Sequence, residues 1–164
     1  MPARRTTVRI VAMVLALGLL AYGLLVPAST KLAPAPARPQ DALQGGPVTL
    51  AAGHGHPEVI AFFATWCTAC HHEASAVAQF ASSQAGRGRI LAVDDADSGN
   101  TPGFLAEYHW TFPVLNDPDS TTAQAYGVLH LPTTVLLNAK GEIVARDTGP
   151  QTVASLTRAL AAAS

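Results

Sequence analysis

Residues 58–73 read EVIAFFATWCTACHHE. The segment 59–63 is a continuous apolar run of strand length, which is typical of a strand covered on both faces. Beyond the cysteines, apolar residues recur at helical spacing, namely Ala74, Val77, Ala78 and Ala81. This spacing predicts a helix, and Gly86 would form its C-terminal cap. The stretch therefore predicts a buried parallel strand that leads into a helix, with Cys67 and Cys70 at the junction.

The rest of the domain alternates between strand and helix patterns. Further strands are predicted at 90–93, 113–115, 133–137 and 142–146, the last two joined as a hairpin by a turn at 138–141. Further helices are predicted from Thr101-Pro102 as N-cap and first turn, over 118–126 up to Gly127, and from Pro150. We expect an α/β fold, in which helices flank a central mixed sheet with a closing antiparallel hairpin and a C-terminal helix.

Composition narrows the function classes. The 164 residues suffice for one ordinary domain, and 49% of them are hydrophobic. A formal net charge of -1, with 13% charged residues, provides no basic surface, so a nucleic-acid partner is not expected. The chain has two cysteines, so it is not a disulfide-dense scaffold, and they form a single structural, metal-binding or redox-active pair.

The N-terminus has the pattern of an export signal. Arg4, Arg5 and Arg9 precede an apolar run at 10–26, so the bulk of the chain is expected beyond the membrane. We favour an uncleaved anchor, and cleavage after Ala28 is the alternative. The predicted organisation is a signal anchor or signal peptide over 1–28, a Pro/Ala-rich linker over 29–46 and one domain over 47–164.

The position of Cys67 and Cys70 indicates redox chemistry. A helix N-terminus carries unpaired N–H groups and the positive end of the helix dipole, which stabilise a thiolate. Thiol pKa values in such settings are about 3.5 to 7.5. Cys67 is then the nucleophile, and Cys70, one turn later, resolves the mixed disulfide.

Three other interpretations of the pair stay open at this stage. A purely structural disulfide would close too short a loop to restrict the unfolded chain much. The thiols could bind copper or zinc together with histidines, namely His54, His56, His71 and His72. The segment from Cys67 to His71 also matches the C-x-x-C-H pattern of covalent c-type haem attachment.

Three separated blocks of sequence resemble the thioredoxin superfamily, and within it the membrane-anchored bacterial proteins of the TlpA, ResA and CcmG type. They are residues 62–73, residues 112–114, and residues 126–134 continuing through 140–144 to Gly149. The resemblance spans nearly the whole domain and implies a thioredoxin-like fold.

The resemblance also implies roles for individual residues. Pro132 is expected to be a cis-proline that faces the cysteine pair, and with Leu131 and Thr133 it would shape the substrate groove, while Trp66 would shield the site. Glu73 would tune the thiols or move protons, unless it is an ordinary solvated first-turn residue. His71 could stabilise the thiolate, or be a solvated surface residue together with His72.

The implied activity is that of a thiol–disulfide oxidoreductase that needs no cofactor or metal. Its expected partners are protein thiols and disulfides, a membrane-embedded electron donor, and the inner membrane through the N-terminal segment, with the domain in the periplasm. Reduction is the preferred direction, because the subgroup typically reduces oxidised cysteines of apocytochromes or copper sites to thiols. The dipeptide Thr68-Ala69 between the cysteines leaves this direction open.

Overall fold

The computed structural model describes residues 39–40, 42–45, 48–50 and 54–164. No helix in these residues is long and apolar enough to cross a membrane. The apolar run at 10–26 and the alternative cleavage site at Ala28 lie outside them.

Strands and helices alternate along the described part of the chain. The strands are β1 (Pro39–Gln40), β2 (Ala42–Gln44), β3 (Val48–Thr49), β4 (Glu58–Phe63), β5 (Ile90–Asp95), β6 (Val114–Asp117), β7 (Thr133–Leu137) and β8 (Ile143–Thr148). The helices are α1 (Thr68–Ser82), α2 (Thr101–Glu107), α3 (Thr121–Ala125) and α4 (Val153–Ala162).

A six-stranded mixed sheet has the order β2-β6-β5-β4-β7-β8. The central strand β4 runs parallel to β5 and antiparallel to β7, and β7 and β8 form the closing hairpin. The predicted α/β fold is thereby confirmed. Strands β1 and β3 form a separate antiparallel pair.

The core occupies both faces of this sheet. Every residue of β4 is buried, because its side chains alternate between two apolar clusters. One cluster joins Phe63 to Phe80 of α1 and Leu156 of α4, and the other joins Phe62 to Tyr126. The Trp110 indole N–H also donates to the carbonyl of Ala74 at 2.9 Å, which ties α1 to the loop after α2. The helix that carries the cysteines is therefore firmly seated.

The structure corrects the predicted starts of two helices. Helix α2 has Asn100 as its N-cap, so Thr101 is its first helical residue, and α4 begins after the N-cap Thr152 rather than at Pro150. Strand β2 pairs with β6, although residues 42–44 fall within the predicted linker. The bounds of the signal segment, the linker and the domain stay predictions.

Gly86 is not the C-terminal cap of α1, which ends at Ser82 with Ser83 as the cap. The residue is a glycine for another reason. A Cβ atom at this position would lie 2.1 Å from the carbonyl oxygen of Phe80. Close approach of two backbone segments, and not a helix cap, therefore requires glycine here.

We expect Gly86→Ala to destabilise the protein by about 1–3 kcal/mol, as overpacking does. Gly88→Ala is the matched control, because a Cβ there meets nothing within 4 Å and only its φ of +69° is strained, which costs about 1–2 kcal/mol. Urea unfolding of both oxidised variants measures the difference. A smaller loss for Gly86→Ala than for Gly88→Ala would contradict the packing argument.

Candidate active site

The two cysteines form a disulfide at the start of α1, with their Cα atoms 5.2 Å apart. Cys67 is the N-cap residue, and its Sγ accepts a hydrogen bond from the Cys70 N–H at 3.1 Å. Cys67 is 6% exposed and Cys70 1%, so the first cysteine is the more accessible of the two. The arrangement is that of a dithiol/disulfide couple whose first sulfur is positioned to be stabilised as a thiolate by the helix N-terminus.

Trp66 and Leu131 lie in one groove beside the cysteine pair. Its volume is about 470 Å³, and Leu129 and His130 also line it. Trp66 is 63% exposed and Leu129 84%, which are the largest exposed fractions among the exposed large hydrophobic residues of the described chain. Leu131 also packs against the apolar cluster that contains both cysteines. The groove therefore presents apolar surface at Trp66, the residue that precedes Cys67.

The Leu131–Pro132 peptide bond is cis, as the resemblance implies. Thr133 pairs with Phe62 near the end of β4, so Pro132 lies at the sheet edge from which the chain leads to Cys67. The Gly149 N–H donates to the Pro132 carbonyl at 2.9 Å, and the Thr133 hydroxyl donates to the His130 carbonyl at 2.7 Å. Backbone and side-chain hydrogen bonds thus hold this loop. The roles of Trp66, Leu131, Pro132 and Thr133 toward a substrate stay predictions.

Glu73 is not a solvated first-turn residue, since it is only 2% exposed. Its Oε2 accepts a hydrogen bond from the backbone N–H of Gln151 at 2.7 Å. Burial raises the pKa of Glu73 from 4.5 to about 7, and the hydrogen bond from Gln151 only partly offsets this effect. A buried carboxyl that titrates near neutral pH therefore lies one helical turn after Cys70.

The two adjacent histidines differ from each other. His72 is exposed, whereas His71 is half-buried and hydrogen bonded through both ring nitrogens. Its Nε2 lies 2.8 Å from the Thr65 carbonyl oxygen, and its Nδ1 lies 2.9 Å from the Tyr108 hydroxyl. The alternative of a solvated surface residue is therefore wrong for His71.

Sequence reasoning missed two carboxyl groups near the junction. Asp94 is 1% exposed and accepts a hydrogen bond from the Thr101 hydroxyl, and its Oδ1 has no partner among the described residues. Burial, with smaller contributions from neighbouring carboxylates, raises the pKa of Asp94 to about 7. Asp97 accepts a hydrogen bond from the Thr65 N–H. The available signal was the acidic run 94–97 at the end of β5, because the carboxyl ends of the parallel strands β4 and β5 lie at the same end of the sheet.

His54 and His56 lie at the other end of β4 from the cysteines. A six-residue strand is about 20 Å long, so these two histidines cannot share a metal ion with the thiols. The His54 Nδ1 is instead hydrogen bonded to Glu58. No group of three or more His, Cys, Asp or Glu side chains in the described ranges is arranged to hold a metal ion.

A thioredoxin-like sheet whose central strand leads to a disulfide-bonded C-x-x-C pair at a helix N-terminus defines a thiol–disulfide oxidoreductase domain. The model of the AhpC/TSA family matches residues 31–146. This match covers more than half of the chain, and the chain therefore belongs to that family.

Named relatives support this assignment. The chain is 31% identical over 112 residues to the thiol-disulfide oxidoreductase ResA of Halalkalibacterium halodurans, covering 67% of this chain and 64% of that protein. It is 36% identical over 93 residues to ResA of Bacillus subtilis, covering 56% and 52%. These alignments span less than two thirds of the relatives.

The chain is also similar to the solved structure of a disulfide oxidoreductase. It is a secreted Mycobacterium tuberculosis disulfide oxidoreductase homologous to E. coli DsbE. The match has a TM-score of 0.64 and 28% identity, and it covers 77% of this chain and 96% of that one.

The pKa of Glu73 leads to a prediction about stability. The folded protein retains the proton up to about pH 7, whereas the unfolded chain releases it near pH 4.5, so stability is full below pH 4.5 and falls as the pH rises to 7. We expect Glu73→Gln to remove up to about 3 kcal/mol of this fall, since one pKa unit corresponds to about 1.4 kcal/mol. Urea unfolding between pH 4.5 and 8 measures the difference.

Asp94 contributes to the fall in the same direction, so the test is the difference in slope between Glu73→Gln and the unchanged protein. Glu107→Gln is the control on an exposed carboxyl and should retain the full slope. A Glu73→Gln variant with an unaltered slope would show that Glu73 does not titrate in this range.

Proposed function

We propose that this protein is a periplasmic thiol–disulfide oxidoreductase that reduces disulfides in other proteins through its Cys67–Cys70 couple. The observation that carries the proposal is the place of the Cys67 sulfur at the N-cap of α1, where it accepts the Cys70 N–H hydrogen bond. In the reduced protein the same N–H and the helix dipole stabilise a Cys67 thiolate. Attack on a disulfide requires such a thiolate.

The reaction has two exchange steps. The Cys67 thiolate attacks one sulfur of the client disulfide, so a Cys67–client bond forms and the other client sulfur leaves as a thiolate, which takes up a proton. Cys70 then loses its proton and attacks the Cys67 sulfur. The Cys67–Cys70 disulfide forms, and the second client sulfur leaves with the electron pair. Two electrons have passed from the cysteine pair to the client.

Glu73 is suited to accept the proton that Cys70 releases. It lies three residues after Cys70 on α1, and residues three apart are neighbours on a helix surface. Burial places the pKa of Glu73 at about 7, so the carboxyl group gains and loses a proton in the neutral range. We assign Glu73 the role of proton acceptor for Cys70, and His71 a separate role that is argued below.

The groove beside Trp66 receives the client polypeptide. Its exposed apolar surface at Trp66 and Leu129 suits an unfolded or extended segment that flanks a client cysteine. Leu131 lines it and is followed by the cis-Pro132, and Thr133 supports this loop through its bond to His130.

Kinship supports the proposed direction, location and partners. The subgroup that the chain resembles reduces disulfide-bonded cysteines of apocytochromes or copper sites, and two ResA proteins are among its relatives. A reductase on the periplasmic side needs a membrane-embedded electron donor that reduces Cys67–Cys70 again. The apolar run at 10–26, with its preceding arginines, supports an anchor in the inner membrane or a cleaved export signal.

The order of the two exchange steps can be tested with insulin as the disulfide probe. We expect reduced Cys70→Ser to accumulate a mixed disulfide with an insulin chain, because Cys67 attacks and no second thiol releases the product. Non-reducing electrophoresis and mass spectrometry detect this adduct.

Cys67→Ser is the matched control, and it should form little adduct because Cys70 is 1% exposed. The unchanged protein should release both insulin chains and become oxidised. Equal adduct formation by the two single variants, or none by either, would overturn the proposed roles.

A further inference from the structure

The backbone N–H and C=O groups of Thr65, two residues before Cys67, both have hydrogen-bond partners. Its N–H donates to the Asp97 carboxylate, and its carbonyl faces the His71 Nε2 at 2.8 Å. The partners come from different elements, since Asp97 follows β5 and His71 lies on α1. The segment that connects the central strand to the redox helix is therefore held from two sides.

The hydrogen bonds define which ring nitrogen of His71 carries a proton. A carbonyl oxygen can only accept, so Nε2 must donate to Thr65. In the neutral imidazole, Nδ1 then accepts the hydroxyl proton of Tyr108, 2.9 Å away. The ring also lies edge-on to Phe104, with ring centres 5.0 Å apart. These contacts leave His71 one orientation.

The Asp97 carboxylate that binds the Thr65 N–H is itself held by a second hydrogen bond. The Asp97 Oδ1 accepts the Gly99 N–H at 2.8 Å while Oδ2 accepts the Thr65 N–H. Burial raises the pKa of Asp97, but the hydrogen bonds from Thr65 and Gly99 together outweigh it and lower the pKa. A Cβ on Gly99 would lie 2.1 Å from the Thr65 hydroxyl oxygen. The loop after β5 therefore packs directly against Thr65.

The turn between β4 and α1 has few hydrogen bonds of its own. Four residues, 64–67, separate the end of β4 from the start of α1. Their one backbone bond within the turn runs from the Cys67 N–H to the Ala64 carbonyl at 3.2 Å. Backbone N–H groups of α1 bond only to Cys67 in this turn, at its carbonyl and its sulfur, so residues 64–66 depend on contacts from outside the turn. Among these contacts, the His71 bond to the Thr65 carbonyl is the one made by α1.

We propose that His71 is a positioning residue for the redox reaction: by donating to the Thr65 carbonyl it holds the turn in the conformation that keeps Cys67 at the N-cap of α1. The proposal rests on the proposed function only in taking Cys67 as the nucleophile. His71 acts through hydrogen-bond geometry and not through charge. Its loss lets the turn relax, weakens the N–H contact to the sulfur and raises the pKa of the Cys67 thiol.

The test measures the Cys67 pKa from the pH dependence of iodoacetamide alkylation, in a Cys70→Ser background that leaves a single thiol. His71→Phe retains a ring against Phe104 but has no donor. We expect it to raise the Cys67 pKa by about half a unit, which slows alkylation about threefold below that pKa. His72→Phe alters the exposed neighbour and should leave the pKa unchanged.

Rescue by a neutral donor separates geometry from charge. In His71→Gln the side-chain amide can donate to the Thr65 carbonyl, and the Cys67 pKa should stay near that of the unchanged protein. If His71→Gln shifts the pKa as far as His71→Phe, charge is responsible and the proposal is overturned. An unchanged pKa in a folded but less stable His71→Phe variant also overturns it, because the role is then structural only.

Tyr108→Phe decides the matter if His71→Phe does not fold. This variant retains the aromatic packing and removes the hydroxyl that orients Nδ1. A rise in the Cys67 pKa that is smaller than the half unit expected for His71→Phe supports the proposal, and an unchanged Cys67 pKa overturns it. If the insulin adduct does not form but these shifts are observed, the proposed function fails while the positioning role of His71 stands.

Discussion

The hydrogen bond from the Cys70 N–H to the Cys67 sulfur depends on the positions of helix α1 and the central strand β4. It requires Cys67 to be the N-cap of α1, four residues after the last residue of the central strand. That strand is fully buried and paired on both edges, so its end is a rigid reference point. Because β7 begins beside the same end, the cis-Pro132 loop lies at the edge from which the cysteine pair emerges.

Two buried carboxyl groups lower the stability of the folded protein at neutral pH. Glu73 and Asp94 both have pKa values raised to about 7 by burial, so each destabilises the folded state when ionised. Groups of this kind concentrate where proton transfer or tuning of neighbouring groups is useful. Glu73 follows Cys70 by one turn, and Asp94 belongs to the strand that precedes the loop bound to Thr65. The protein therefore holds one carboxyl that titrates near neutral pH on the helix of the cysteine pair and another on the strand next to β4.

Much of the fold follows from local patterns, whereas much of the site does not. Strand β7 was predicted with its observed bounds, and β4 was predicted over 59–63 because an unbroken apolar run is typical of a strand buried on both faces. The closing hairpin and the C-x-x-C pair were equally visible in the sequence. Gly86 was misread because its requirement comes from the distant carbonyl of Phe80. The burial of Glu73 and the contacts of His71 depend on Gln151 and Tyr108, which are far away in sequence and come close only in the folded chain.

The equilibrium reduction potential of the Cys67–Cys70 couple against glutathione tests the central claim most directly. It reports how the folded protein divides its stability between the dithiol and the disulfide, and so which way electrons flow. The account predicts a potential near that of thioredoxin, about -270 mV, as a reductase requires. A potential near that of DsbA, about -120 mV, would contradict it, because the couple would then oxidise its clients.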